Sequence, residues 1–351
     1  MFQNVNFFKS QDSLNNSLKE GKYLLLVAQN SKFELKDLPK DVAIVGGIFP
    51  RIVFHEQTYE EGFLLAKMSP CTSALIIEHM DGELEIPDLE KLNSFMIVVD
   101  GLSSKIDYFL ESFFELIGEN AMIIGGGAGK LTLKQEPVIF SNYDMYQDAA
   151  LIIGSYDLMG VGLKHGWSEL EGPFIVTDSK NCELKQINYM DAFKFYKNII
   201  EKHSKTLINK DNFFDIAKGY PFGINRYSKE AIVRDPITTN GNSITLVGNI
   251  DINAVISVLK GSKSDLIDAS RKAALCAIKN LPNKKPKQAL LVDCISRLLY
   301  LDTSFEDELR SIANEFDKNT ILWGVLSLGE IANVNREKIE FYNKTCVIGA
   351  L

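Results

Sequence analysis

Positive charge is in short supply: the 351 residues carry 38 Lys and Arg against 46 Asp and Glu, a net charge of -8. A nucleic-acid footprint needs a basic face that displaces counterions from phosphates, so this balance excludes nucleic acid as a partner class. The one basic run, PNKKPKQ at Pro282 to Gln288, reads as a solvated connector between a helix and a strand. Long apolar runs are missing too. No stretch reaches the roughly 18 residues of a membrane span, and MFQNVNFFKSQDSLNNSLKE lacks the continuous apolar core of a signal peptide. The expectation is no membrane insertion and a cytoplasmic address.

Cysteine is sparse and unpatterned. Cys71, Cys182, Cys276, Cys294 and Cys346 are odd in number, far apart and without a Cys-x-x-Cys pair, which argues for reduced thiols over disulfides or a zinc knuckle. Catalytic signatures are lacking as well: there is no Gly-x-Ser-x-Gly elbow, no His-Glu-x-x-His and no Cys-x-x-Cys-His haem attachment. The acidic FEDELR, Phe305 to Arg310, suits the first turn of a helix without a catalytic role. The expectation is a protein that is not an enzyme, with no catalytic residue and no bound metal.

Glycine, by contrast, is clustered. MIIGGGAGKLTL, Met122 to Leu133, ends like a phosphate cradle, but Ile124 stands where the first P-loop glycine belongs, and Leu131 where a hydroxyl must hold magnesium. The Gly-x-Gly-x-x-Gly pattern fails at Lys130. KLTLKQEPVIF alternates like a strand, so the glycines read as a tight turn between two strands.

The turn recurs in one context. SFMIVVDGL (Ser94 to Leu102) reads as a buried strand. The helix after it carries Ile106, Phe109, Leu110, Phe113 and Ile117 at helical spacing, opened by Ser104 three before Asp107 and closed by Gly118. QALLVDCISRLLYL (Gln288 to Leu301), a helix opened by Ser304 three before Asp307, and TILWGVLSLGEIANV (Thr320 to Val334) repeat the order. KYLLLVAQN (Lys22 to Asn30) and DVAIVGGIFPRIVF (Asp41 to Phe54) form a shorter relative. Irregular spacing excludes a solenoid of fixed period and points to duplication with divergence. The helical MDAFKFYKNIIEKHSKTL (Met190 to Leu207) precedes the less regular NKDNFFDIAKGYPFG, so the boundary falls at Leu207 to Asn212, giving domains 1–207 and 208–351. The expected fold class is α+β: two related domains with largely antiparallel sheets covered by helices and an internal strand-helix-strand-turn-strand duplication.

Taken in order, the GGIF and GGGAGK runs, GVGLKHGW (Gly160 to Trp167) and FIVTDSKNCELKQINYMDAFKFY lie in the first half. KGYPFGI, VRDP (Val233 to Pro236), ALLVDCISR (Ala289 to Arg297), GVLSLGEIA (Gly324 to Ala332) and YNKTCV lie in the second. With these runs the whole chain resembles the FIST family, an N-terminal and a C-terminal FIST domain in tandem. The resemblance implies a cytoplasmic sensory module that binds a small molecule such as an amino acid and serves signal transduction. No kinase, cyclase or methyl-acceptor segment accompanies it, so the implied output is a separate signalling protein. Two alternatives stand beside this reading: a haem-binding nitric-oxide sensor, and a protein-interaction scaffold without a small ligand.

Candidate ligand-binding residues gather in the second half. Arg297 follows an apolar run and needs a partner, because an unpaired buried charge is costly. A ligand carboxylate gripped by two parallel hydrogen bonds, or an internal bridge to Glu330 or Asp235, serves equally. Arg234 has Asp235 beside it, and Glu330 suits a ligand ammonium, so Arg297 and Glu330 together would hold a zwitterion. Cys294 has no local histidine to act as a base and reads as a packed or pocket-lining thiol. Asn343 and Thr345, alternate residues of the last strand, share a face and serve a pocket or cap a turn. From the first half, His165 and Trp167 offer an imidazole and an indole to a stacked ligand or a haem iron. No other cofactor is implied.

Overall fold

The computed structural model describes residues 1–84, 86, 89–119, 121–227, 229–282, 285–333 and 338–351. Asn283 and Lys284 of the basic connector and Val334 at the end of the third glycine-bearing run lie outside the described residues.

Three apolar seven-residue runs become lead strands, Lys22–Ala28, Ser94–Asp100 and Gln288–Cys294, each buried over nearly its whole length. Burial on both faces is what a parallel strand needs. Each lead strand pairs in parallel with the glycine-bearing strand of its own repeat: Ala43–Phe49, Met122–Ala128 and Ile321–Ser327. On its other side each pairs antiparallel with a return strand: Phe63–Met68, Ala150–Ser155 and Cys346–Ala350. The α+β class holds, with parallel pairs set inside largely antiparallel sheets.

Gly329 does occupy the bend between two strands, but Gly46, Gly47, Gly125, Gly126, Gly127 and Gly324 lie inside strands and not in turns, which corrects the expectation drawn from their clustering. The fourth residue of each glycine strand, Gly46, Gly125 or Gly324, lies opposite Leu25, Ile97 or Leu291 of the lead strand. A Cβ at these positions would stand 1.9, 2.0 and 1.8 Å from the partner's carbonyl oxygen. Glycine is required mid-strand by that backbone approach. The residues after the second glycine strand are also corrected: 129–138 form a loop, tied by Lys130 to Glu136 at 2.7 Å, and only Ile139–Ser141 is extended.

After its glycine strand each repeat donates a hairpin to a different repeat. Arg51–Phe54 with Gln57–Tyr59 joins the third repeat at Ile321–Ser327. Ile139–Ser141 with Met145–Tyr146 joins the first at Ala43–Phe49, and Glu330–Ala332 with Glu340–Tyr342 joins the second at Met122–Ala128. Tyr59, Tyr146 and Tyr342 hold equivalent places in the three hairpins, opposite Ile52, Ile139 and Glu330. Edge strands are exchanged likewise: Thr72–Ile77 pairs with the return strand of the second repeat and Gly160–Lys164 with that of the third. Phe2–Phe8 completes the ring by pairing with the first. Gln288 touches both ends of the chain, its Nε2 donating to Phe2 O at 3.0 Å and its carbonyl accepting from Leu351 N at 2.9 Å. The duplication read from the sequence is thus a closed ring of three six-stranded sheets.

A fourth sheet is inserted between Gly160–Lys164 and the helix Lys263–Asn280, beginning with Ser168–Lys180 and ending with Val255–Lys260. The boundary read at Leu207 to Asn212 falls within this insert, between helices Ala192–Ser204 and Phe213–Ala217. Strands from both sides of it share three of the four sheets.

The helix Ile106–Ile117 buries the five apolar residues its spacing indicated and stops at Gly118, φ 65°. Its expected cap does not form. Ser103, not Ser104, takes the Lys105 N–H at 3.2 Å, and Asp107 is engaged by Asn249. Ser304 continues a 3-10 turn in helical conformation before Phe305–Ala313 and caps nothing with its side chain, because a cap needs extended backbone. The capping box that does form is Ser262 with Asp265, opening Lys263–Asn280.

Candidate binding cavity

A cavity of about 450 Å3 lies where the second repeat, the inserted sheet and the third repeat meet. That volume falls in the range of small-molecule sites. Its walls are mostly apolar: Ile106, Leu131 and Leu133 from the second repeat, Phe214, Ile237 and Leu246 from the insert, and Ile295, Leu299 and Leu328 from the third. The third lead strand ends at Cys294 and a helix begins at Ile295, which sets Cys294 and Ser296 on the cavity floor. Gly329, φ 102°, brings the donated hairpin in tightly. A Cβ there would be 2.1 Å from the Phe341 ring, and Phe341 and Asn343 line the cavity beside it.

The floor is polar and buried. Asp235, fully buried, accepts on Oδ2 from the Ser296 hydroxyl, and its Oδ1 stands 3.1 Å from Lys344 Nζ as an ion pair off the line of a hydrogen bond. Lys344 Nζ donates to Lys218 O at 2.9 Å and sits over the Trp167 ring at 5.4 Å. Asn343 Nδ2 donates to Tyr342 O at 2.8 Å, which fixes the amide and leaves Oδ1 buried without a hydrogen-bond partner among the described residues. The Cys294 thiol donates to Glu330, which also accepts from Ser327 Oγ at 3.0 Å and Thr345 N at 3.2 Å. Burial outweighs these donors and pushes the Glu330 carboxyl up to about 8. Burial, then the neighbouring Glu330, raises the Cys294 thiol well above its ordinary value, so it stays an S–H and not a nucleophilic thiolate at neutral pH. At the rim, Asn249 Nδ2 donates to Asp107 at 2.6 Å.

The FIST N domain matches residues 31–190 and the FIST C domain residues 192–333. The chain belongs to the FIST family. FIST domains are sensory domains of signal transduction. No curated protein matches the chain.

Of the eight residues singled out in this FIST protein, Cys294 and Asn343 line the cavity, and Glu330 stands behind Cys294. Asn343 and Thr345 precede the last strand instead of lying on it, in a corner where Lys344 is left-handed at φ 51°. Thr345 caps that corner by donating to Asn343 O at 2.7 Å.

Arg297 is fully buried and committed elsewhere. It reaches Glu308 Oε1 from Nε at 3.0 Å and from Nη2 at 2.8 Å, His165 O and Lys344 O from Nη1, and Leu266 O and Ser270 Oγ from Nη2. Asp293 Oδ1 is 3.2 Å from its Nε, so the internal carboxylates are Glu308 and Asp293 and not Glu330 or Asp235. The guanidinium can neutralise one of the two acids. Burial, then Glu308 beside it, pushes the Asp293 carboxyl well up. Asp293, Glu308 and Cys346 do bring ligand atoms within 4.8 Å of one another, but Arg297 already supplies the positive charge at that place.

Arg234 lies behind Gly248, donating to Asn249 O at 2.8 Å and Phe341 O at 3.0 Å, while its neighbour Asp235 turns to Ser296 and Lys344. His165 is buried away from the cavity lining. Its Nδ1 accepts from Trp167 N at 2.9 Å, and burial lowers its pKa to about 4. Trp167 packs against Tyr300, also outside the lining.

Asp235, Ser296 and Lys344 were not among the candidates. Glu308 was hidden in FEDELR, yet it shares the helical spacing of Phe305, Leu309 and Ile312, the signal that places it on the buried face.

Proposed function

We propose that this FIST protein is a cytoplasmic small-molecule sensor whose ligand occupies the cavity and whose signal passes to a separate output protein. The observation that carries this reading is the cavity itself, about 450 Å3, mostly apolar and bordered by a few polar groups where the second repeat, the insert and the third repeat meet. The reading is of binding without turnover, supported by a Cys294 thiol held in its unreactive form. An amino-acid-like ligand finds a partner for its ammonium end in Asp107 at the rim, while the zwitterion clamp of Arg297 with Glu330 has no support, because Arg297 is saturated by protein acceptors.

Native mass spectrometry of the freshly purified chain, set beside its denatured mass and followed by thermal-shift screening of a metabolite panel, tests the reading. A non-covalent adduct, or a compound that raises Tm in wild type and less in Asn343→Leu, is expected. Equal masses and no Tm response to any compound would overturn it.

A further inference from the structure

We propose that the outer edge of Thr72–Ile77 pairs antiparallel with the same edge of a second copy of the chain, joining two second-repeat sheets across a two-fold axis. This interface stands apart from the cavity and its ligand.

Each six-stranded sheet ends on one side in an edge strand, and the three edges are treated differently. Gly160–Lys164 lies so close to the helix Lys263–Asn280 that a Cβ at Gly162 would stand 2.0 Å from Ala273 O, and Asn280 Nδ2 donates to Val161 O at 2.8 Å. At Phe2–Phe8, Gln288 Nε2 occupies Phe2 O, and the Phe7 ring packs against Tyr59 at 4.2 Å between centroids and against Phe54. Thr72–Ile77 pairs with Ala150–Ser155 on one side, and no strand pairs with its other side among the described residues. Tyr156 N donates to Cys71 O, so by alternation Ser73, Leu75 and Ile77 turn their backbone groups to the return strand while Ala74 and Ile76 turn theirs outward. Those outward groups have no hydrogen-bond partner among the described residues. The strand also lacks the usual guards of a bare edge: it carries no charge, no proline and no bulge, and Leu75 is 43% exposed.

The partner that fits this edge is the edge itself. With Leu75 opposite Leu75, Ala74 of each copy faces Ile76 of the other, and each such pair exchanges both of its backbone hydrogen bonds. The same register sets Glu78 of each copy opposite Thr72 of the other. Lys22 lines the groove at that end, beside Pro70 and Cys71. Lys22 and Glu78 are both exposed, and neither has an ion-pair partner among the described residues. The two-fold axis therefore carries two free carboxylates to two free ammonium groups while covering the Leu75 pair. It also consumes both edges at once, so the pairing closes at two copies and leaves no open row for a third.

Sedimentation of the full chain at micromolar concentrations is expected to show a species of twice the chain mass. Leu75→Lys, which sets like charges on the axis at an exposed position, is expected to give monomer that still unfolds cooperatively in urea. Lys22→Glu and Glu78→Lys should each weaken the dimer severalfold, and the double variant should regain it, a pattern that a merely structural role would not produce. In a Cys71→Ser background, Leu75→Cys is expected to form a covalent dimer under mild oxidation, because a non-hydrogen-bonded pair stands about 4.5 Å apart at Cα. Ser73→Cys, which faces Ile77 of the other copy, is expected not to. A chain that stays monomeric at every soluble concentration, growth past the dimer, a dimer indifferent to Leu75→Lys, or equal cross-linking from positions 73 and 75 would each overturn the inference.

Discussion

Replacing Glu330 by glutamine should remove a pH-dependent penalty on folding. The carboxyl is fully buried, and its pKa rises from 4.5 to about 8. Between those values the unfolded chain has released the proton and the folded chain still holds it. Stability therefore falls as pH climbs through the window, and the loss is complete above the folded value. The gap of roughly 3.5 units corresponds to about 5 kcal/mol at 1.36 kcal/mol per unit. Glutamine keeps the shape and neutrality: its oxygen can accept from Thr345 N, and its amide can donate to Ser327 Oγ, which already donates to Asp293 O at 3.2 Å. Urea unfolding at pH 5, 6.5 and 8.5 should show Glu330→Gln gaining on wild type by several kcal/mol from the first condition to the last. A constant difference across the three would mean that Glu330 ionises as readily in the fold as in the open chain, and the argument from burial would fail.

His165 should act at the other end of the scale. With a folded pKa of about 4 against 6.5, wild type loses about 3 kcal/mol as pH falls through that interval, because only the unfolded imidazole takes a proton. His165→Asn, whose Oδ1 can still accept from Trp167 N, should flatten this acid limb in urea titrations at pH 7 and 4.5; parallel titrations would refute it. Gly125→Ala should cost about 3 kcal/mol or prevent folding, since its Cβ meets Ile97 O at 2.0 Å. A Tm unchanged in Gly125→Ala would contradict the mid-strand explanation. Arg297→Met should lower stability by about 3–5 kcal/mol, because it strands Asp293 and Glu308 without their cation, and an unchanged urea midpoint would refute that role.

Local periodicity revealed the lead strands, the helix at Ile106–Ile117 and the three related units, because each depends on burial along a continuous stretch. The position of the glycines was misread for a physical reason: what requires Gly125 is the carbonyl of Ile97 on the neighbouring strand, and a one-dimensional pattern carries no such information. The hairpin exchange was invisible for the same cause, since nothing near Glu330 indicates that it pairs opposite Gly126. At the site, Cys294 and Asn343 were legible from their places after an apolar run and before the last one. Arg297 was recognised as buried and in need of a partner, but its partner Glu308 sits in a run whose acids look solvated. Asp235 was named only as a bridge to an arginine; its tie to Lys344 depends on a left-handed corner far along the chain.

The exchanged hairpins also govern how the molecule can be made. During synthesis the hairpin Arg51–Phe54 with Gln57–Tyr59 emerges long before the strand it joins, Ile321–Ser327. Met122–Ala128 likewise keeps an open edge until Glu330–Ala332 arrives. Unpaired edges that persist this long are templates for aggregation, and sheets that close only through distant partners form slowly. The ring of sheets therefore cannot close before Cys346–Ala350 is made, and a nascent FIST protein of this design should lean on chaperones until that strand is released.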